Sequence, residues 1–201
     1  MRKHHAQIRM PSIILSLVFI ISTISFPHVV NATDEASFSL IEYVSSHDIH
    51  SQAEFEAVIQ QHCNQYYQPM VIENEVFFQI EIEYENSLVS TLVVEDLGQT
   101  RGEKTGRATK NYYSDTGEIV FTIVIEGRFR YSSTEVRTLS ASGSYSKPPL
   151  SLWNSTPTIS SGNVTSNYAY ALIYGTATSI YGSQNYSLAV ACDKSGNITG
   201  V

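Results

Sequence analysis

Between Glu118 and Tyr131 the odd positions Ile119, Phe121, Ile123, Ile125, Gly127, Phe129 and Tyr131 form an almost unbroken apolar row. The even positions are apolar only in the middle, at Val120 and Val124. Strand side chains alternate faces, so this pattern predicts a strand with one core face and a second face that is covered centrally and wet at both ends. Turn signals flank it, AspThrGly at 115 to 117 and SerSer at 132 and 133, and an alternating run follows from 134 to 146. The strand is therefore expected at the centre of an antiparallel meander.

The rest of the chain is punctuated in the same way. Phe38, Leu40, Ile41, Tyr43 and Val44 give the lead-in an apolar patch that reads as an edge strand or a strap. Ser51 and Glu54 have the spacing of a capping box, and Phe55, Val58, Ile59, His62, Cys63 and Tyr66 continue at helical spacing until Pro69. Val76 to Tyr84 alternates and is joined through a turn at 85 to 87 to a β-rich run at 88 to 97, which predicts a hairpin. The glycine-rich stretch 98 to 106 reads as a loop separating a helix-plus-hairpin part, 33 to 97, from a meander and C-terminal strands, 105 to 201. Residues 147 to 162 hold Pro148, Pro149, Pro157 and Trp153 and read as irregular chain or a crossing between sheets. Val164, Tyr168, Tyr170, Leu172 and Tyr174 share one strand face, as do Tyr186, Leu188, Val190 and Cys192. About eight short strands and one helix predict a mainly β chain, an antiparallel β-sandwich of Ig-like or open-barrel type with one N-terminal amphipathic helix.

The first residues add a compartment. Arg2, Lys3 and Arg9 precede an apolar run from Ile13 to Ile24, and ValAsnAla at 30 to 32 supplies a cleavage site, so residues 1 to 32 read as a signal peptide cut after Ala32. The run is too short for a membrane span of ~20 residues, so no transmembrane anchor is expected. Neither a sorting motif nor a lipid-attachment cysteine follows it, and a released or loosely surface-associated protein is expected. Cleavage removes three basic residues and no acidic ones, taking the net charge from −7 to −10. That balance argues against nucleic acid as a partner. From 33 to 97 there are thirteen Asp or Glu and no Lys or Arg, whereas 101 to 147 carries eight basic residues, a layout that predicts pairing across strands.

Candidate chemistry is sparse. No GxSxG, HExxH, Walker, CxxC or EF-hand pattern occurs, so no catalytic residue and no cofactor is assigned. Cys63 and Cys192 are compatible with a disulfide in an exported chain, the alternative being buried free thiols. His47 and His50, with His62, have metal-ligand chemistry, but a zinc site needs three ligands in fixed geometry, and solvated residues at a helix entry are the plainer reading. His62 and Cys63, adjacent on a helix, point about 100° apart and cannot meet as base and nucleophile. Glu81, Glu83 and Glu85, with Glu73 and Glu75, are spaced like paired carboxylates yet read as a solvated strand face. Tyr168, Tyr170 and Tyr174, with Trp153, are the candidate ligand-binding residues, since exposed aromatics on a sheet stack on sugar rings or dock partners; otherwise they border the core.

The section from Tyr112 onward, with TyrTyrSerAspThrGlyGlu at 112 to 118, GlyArgPheArgTyr at 127 to 131, the Ser/Ala-rich run 138 to 146, Trp153 and CysAspLysSerGlyAsn at 192 to 197, resembles small secreted all-β proteins of Gram-positive bacteria. That group has no assigned reaction; the resemblance implies export and an all-β domain and transfers no catalytic residue. The expected function is a non-catalytic extracellular or cell-envelope binding module, with cell-wall glycan or a surface protein as partner. A secreted antibacterial or toxin-like protein and a metal-dependent enzyme using the His cluster are the alternatives.

Overall fold

The computed structural model describes residues 38–62, 72, 74–100 and 102–200. These lie within one unit, Ser37–Val201. The signal segment, its cleavage site and Cys63 fall outside the described residues. Two helices, α1 (Leu40–Ser46) and α2 (Gln52–His62), precede nine strands: β1 (Glu75–Glu83), β2 (Leu88–Thr100), β3 (Glu103–Ser114), β4 (Ile119–Tyr131), β5 (Val136–Ser146), β6 (Thr158–Thr165), β7 (Tyr168–Ser179), β8 (Gly182–Asp193) and β9 (Ile198–Gly200).

The strands form two antiparallel sheets, β1-β2-β3-β4-β5 and β6-β7-β8-β9. The result is an open sandwich. Each sheet follows chain order, and the chain crosses between them once, through 147–157. An Ig-like topology needs strands exchanged between sheets by Greek-key connections. Here every described strand pairs with its neighbour in sequence, so only the sandwich half of that expectation holds. The glycine-rich stretch 98 to 106 is likewise no boundary: β2 and β3 pair across it through Thr100↔Glu103, with Gly98 at a register irregularity and Gly102 at positive φ in the turn.

The helix predicted from its capping box is α2, in which the Glu54 N–H donates to Ser51 Oγ at 3.3 Å and Glu54 Oε2 accepts from the His50 N–H at 2.7 Å. A second helix, α1, stands where an edge strand or strap was expected. Ser39 caps it, accepting from the Glu42 N–H at 3.2 Å, and the N–H groups of Leu40 and Ile41 donate to Asp115 at 2.8 Å each. So short a helix is not stable alone, and its tie to the β3–β4 turn is tertiary, which local spacing does not show.

The strand expected at the centre of the meander, β4, lies between β3 and the edge strand β5, and β3 is central. Phe121, Ile123, Ile125 and Phe129 are fully buried against Ala169, Ala171, Ile173, Leu188, Val190 and Cys192 of the second sheet. Ile119 departs from its row: the register shifts between Tyr112↔Phe121 and Tyr113↔Ile119, making Val120 an extra residue. Ile119 therefore joins a smaller cluster on the opposite face, with Leu40, Phe55, Ile59, Val89 and Tyr113. One face of the first sheet is thus covered by the second sheet, and one end of the other face by the helices.

Close approach of the sheets depends on small residues. Gly106 and Gly127 are paired across β3 and β4. A Cβ on Gly127 would lie 2.5 Å from the Phe129 ring and 3.0 Å from the Cβ of Ala171. Gly127→Ala is accordingly expected to lower unfolding stability by about 1–3 kcal/mol through overpacking. Urea denaturation measures this, and an unchanged midpoint would refute the packing account.

Candidate functional site

The outer face of the second sheet is built on β7, which lies between β6 and β8. Across it Thr158, Tyr174 and Ser187 form one row, Ser160, Leu172 and Ala189 the next, and Gly162, Tyr170 and Ala191 a third. Tyr168 ends the line beside Thr165 and Asp193. The inner face of the same strand carries Ala169, Ala171, Ile173 and Ala177, all fully buried. The large aromatic side of β7 thus faces outward because the bulky inner residues of β4 leave room only for small ones opposite.

Tyr168 and Tyr174 are exposed and Tyr170 is half-buried. A strand rise of ~3.4 Å per residue sets Tyr170 ~6.8 Å from Tyr168 and about twice that from Tyr174. The Tyr170 ring leans over Gly162, where a Cβ would come within 3.4 Å of its hydroxyl oxygen. Flanking positions carry hydroxyls, amides or methyls, including Thr176, whose Oγ1 donates to Asn185 Oδ1 at 2.7 Å. No Asp, Glu, Lys, Arg or His occurs from Pro148 to Cys192. That uncharged stretch is a signal the sequence reading passed over, and it coincides with the crossing segment and nearly all of the second sheet.

Trp153 is the principal correction. It is 3% exposed, with its ring 5.6 Å from Phe121, and belongs to the sandwich core. An indole so placed offers no stacking face; proline-rich chain around it carries the ring inward instead of presenting it. It does line one wall of a cleft of about 970 Å³ at one end of the sandwich, with Leu88, Ile119, Leu150, Leu152 and Tyr181.

The histidines do not converge. His47 stacks on Tyr43 at 4.0 Å, His50 Nε2 lies 3.3 Å from Asp48, and His62 stacks on Phe38 at 4.4 Å. Among the described residues no three His, Cys, Asp or Glu side chains are grouped to hold a metal ion. Glu81 and Glu83 are not a free carboxylate pair either, because Lys110 Nζ lies 3.0 and 3.5 Å from them. Lys110 also sits over the Tyr112 ring, and Lys104 reaches Asp96 at 2.6 Å, so acidic residues of the first part do meet basic residues of β3. Glu85 lies in the turn Tyr84–Asn86, Glu75 is raised by burial, and Glu73 is outside the described residues.

Cys192 is a buried free thiol donating to the Asp193 carbonyl at 3.3 Å, which matches the alternative to a disulfide; Cys63 lies outside the described residues. The Cys192 side chain belongs to the core between the sheets. Burial and the Asp193 carboxylate push the thiol up to about 11. Among the described residues no helix is long and apolar enough to cross a membrane.

Two outcomes follow from this end of β8. With its thiol held protonated and enclosed, Cys192 should resist iodoacetamide at pH 8 in the folded protein and react only in denaturant; peptide mass spectrometry reads the difference, and rapid native labelling of Cys192 would contradict the placement. Asp193 is penalised by desolvation, but bonds from Asn197, Ser195 and Gly196 outweigh this and hold its carboxyl below the ordinary value. A depressed folded pKa stabilises above the unfolded value, and that contribution is lost as pH falls through the folded value. Solvent screening keeps it to under about 1 kcal/mol. Asp193→Asn should therefore flatten the acid limb of a stability–pH curve below about pH 4, and an unaltered limb would remove Asp193 from it.

Comparison with protein-family models, with curated proteins and with solved structures finds no match for this chain.

Proposed function

We propose that the protein is an exported, non-catalytic binding module of the Gram-positive cell envelope that holds a neutral glycan on the outer face of its second sheet. The observation that carries this reading is the line of Tyr168, Tyr170 and Tyr174 on a sheet without charge from β6 to Cys192. Pyranose rings present an apolar C–H face that packs on aromatic rings, and their hydroxyls exchange hydrogen bonds with Ser, Thr and Asn side chains. A polymer lying along β7 would meet rings and hydroxyl-bearing neighbours in turn. The N-terminal signal pattern and the resemblance of the C-terminal half to small secreted Gram-positive proteins support the compartment.

A face whose only charge, Asp193 beside Tyr168, is held in its own turn separates this mode from electrostatic adsorption. Screening by salt weakens exposed charge attraction strongly and leaves ring stacking in place. The chain from Thr33 to Val201 should co-sediment with isolated Gram-positive cell walls in both low and elevated salt. Tyr168→Ala with Tyr174→Ala should weaken retention about tenfold, equivalent to ~1.4 kcal/mol. Retention lost in elevated salt, or untouched by the double substitution, would sink the reading.

A further inference from the structure

The four most exposed large apolar side chains among the described residues are Leu150 at 93%, Ile180 at 80%, Tyr84 at 76% and Tyr181 at 71%. All four lie at one end of the sandwich. Ile180 and Tyr181 are the two tip residues of the β7–β8 hairpin, whose last pair is Ser179↔Gly182. Neither tip residue takes a positive φ; the following Gly182 does, at 141°, so the conformational demand of this turn falls on the glycine and nothing in the backbone calls for two large apolar side chains at the tip. Leu150 projects from the crossing segment, with Leu152 beside it. Tyr84 stands on the turn before β2, and the turn is fixed to the hairpin because Asn86 Nδ2 donates to the Ser183 carbonyl at 3.1 Å and to Gln184 Oε1 at 2.9 Å.

These side chains are held out. Ser151 Oγ donates to the Val120 carbonyl and Lys147 Nζ to the Ser151 carbonyl at 2.7 Å, anchoring the crossing segment on β4. Leu150, Leu152 and Tyr181 rim the cleft of about 970 Å³ whose walls include Leu88, Ile119, Val120 and Trp153. The chain from Pro148 and the hairpin tip carry no charge; Lys147, which opens the crossing segment, is bonded to the Ser151 carbonyl, Glu118 lines the cleft, and Glu85 lies on the turn with Tyr84.

We propose that this end of the sandwich docks on a lipid bilayer, with Leu150, Ile180 and Tyr181 entering the boundary between headgroups and acyl chains. Lipid is favoured over a protein partner by the form of the surface. Side chains carried on two loops, 71–93% exposed, match a medium that accepts side chains singly, whereas a protein partner requires a continuous complementary face. Aliphatic side chains with tyrosines are also the composition found at membrane interfaces. With two carboxylates, one lysine already bonded to a backbone carbonyl and no basic cluster, the charge pattern selects a zwitterionic surface over an anionic one.

The test is flotation of the chain from Thr33 to Val201 with phosphatidylcholine vesicles, with and without elevated salt. Trp153, the only tryptophan, lines the cleft and gives a second readout through quenching by brominated acyl chains. Flotation that withstands salt, accompanied by Trp153 quenching, is the expected result. Ile180→Ser with Tyr181→Asn replaces two largely exposed side chains by residues common in turns of negative φ, so the fold and its thermal midpoint should be kept while vesicle binding falls at least tenfold. Leu150→Ser should weaken binding in the same direction. The proposal is overturned if the protein stays with the soluble fraction, if the tip variants float like the parent, or if only anionic vesicles bind and salt releases them. Tyr168→Ala with Tyr174→Ala should float normally, so failure on cell walls and failure on vesicles report on different surfaces.

Discussion

The ring of Phe121 is the contact on which the two sheets and the segment between them depend. It stacks on Tyr112 at 4.2 Å, lies 5.5 Å from Tyr145 and 5.6 Å from Trp153, and reaches Tyr186 of the second sheet at 6.3 Å. Three strands of the first sheet, the crossing segment and one strand of the second therefore meet at one side chain. Its position is set by the extra residue at Val120, which turns Ile119 toward the helices and Phe121 toward the second sheet. The arrangement has a polar cost. The Tyr112 and Tyr145 hydroxyls are buried without a hydrogen-bond partner among the described residues. Burial raises both phenols, that of Tyr145 to about 12. Large aromatic burial outweighs two unsatisfied hydroxyls here, since each ring removes far more apolar surface than its single oxygen forfeits.

Around this shared core the two sheets have opposite outer chemistry. The first carries a lattice of ion pairs, Arg107 with Glu126 at 3.0 Å and both Arg128 and Arg130 on Glu103, and part of it is roofed by helices. The two guanidinium groups hold the Glu103 carboxyl below its ordinary range. The second sheet has tyrosines, hydroxyls and amides in place of charge up to Asp193 at the end of β8. Exposed ion pairs add little stability, so the charged lattice is better understood as keeping the first sheet soluble and its strands in register. The second sheet does without that protection, and the aromatic line and the apolar loop tips are both found there or at its margin.

Much of this architecture was legible because period-two patterns report burial directly. Phe121 to Phe129, the β1–β2 hairpin and the Ser51–Glu54 cap all appear where alternation and capping chemistry place them. What escaped did so for tertiary reasons. In β7 the eye follows Tyr and Leu, yet the core took Ala169, Ala171 and Ile173 because the opposing strand had already filled the space. Trp153 lies in chain without periodicity, so nothing local showed which way its ring turned. The α1 helix rests on Asp115, seventy-four residues beyond Ile41, and no window of sequence contains that bond. For the candidate surface, residue identity was legible in the tyrosines, while the face they occupy required the structure.

That each sheet is laid down in chain order has a bearing on how the chain becomes native. Every strand can add to the one just completed, so the first sheet is closable once residue 146 is available and needs nothing downstream. Local pairing of this kind is quick relative to long-range crossovers. The inner row of β4, however, stays uncovered until β7 and β8 arrive, at least twenty residues later. During that interval Phe121, Ile123, Ile125 and Phe129 present a sticky half-sandwich to any neighbouring chain, and the charged outer lattice of the first sheet is then its main defence against premature association.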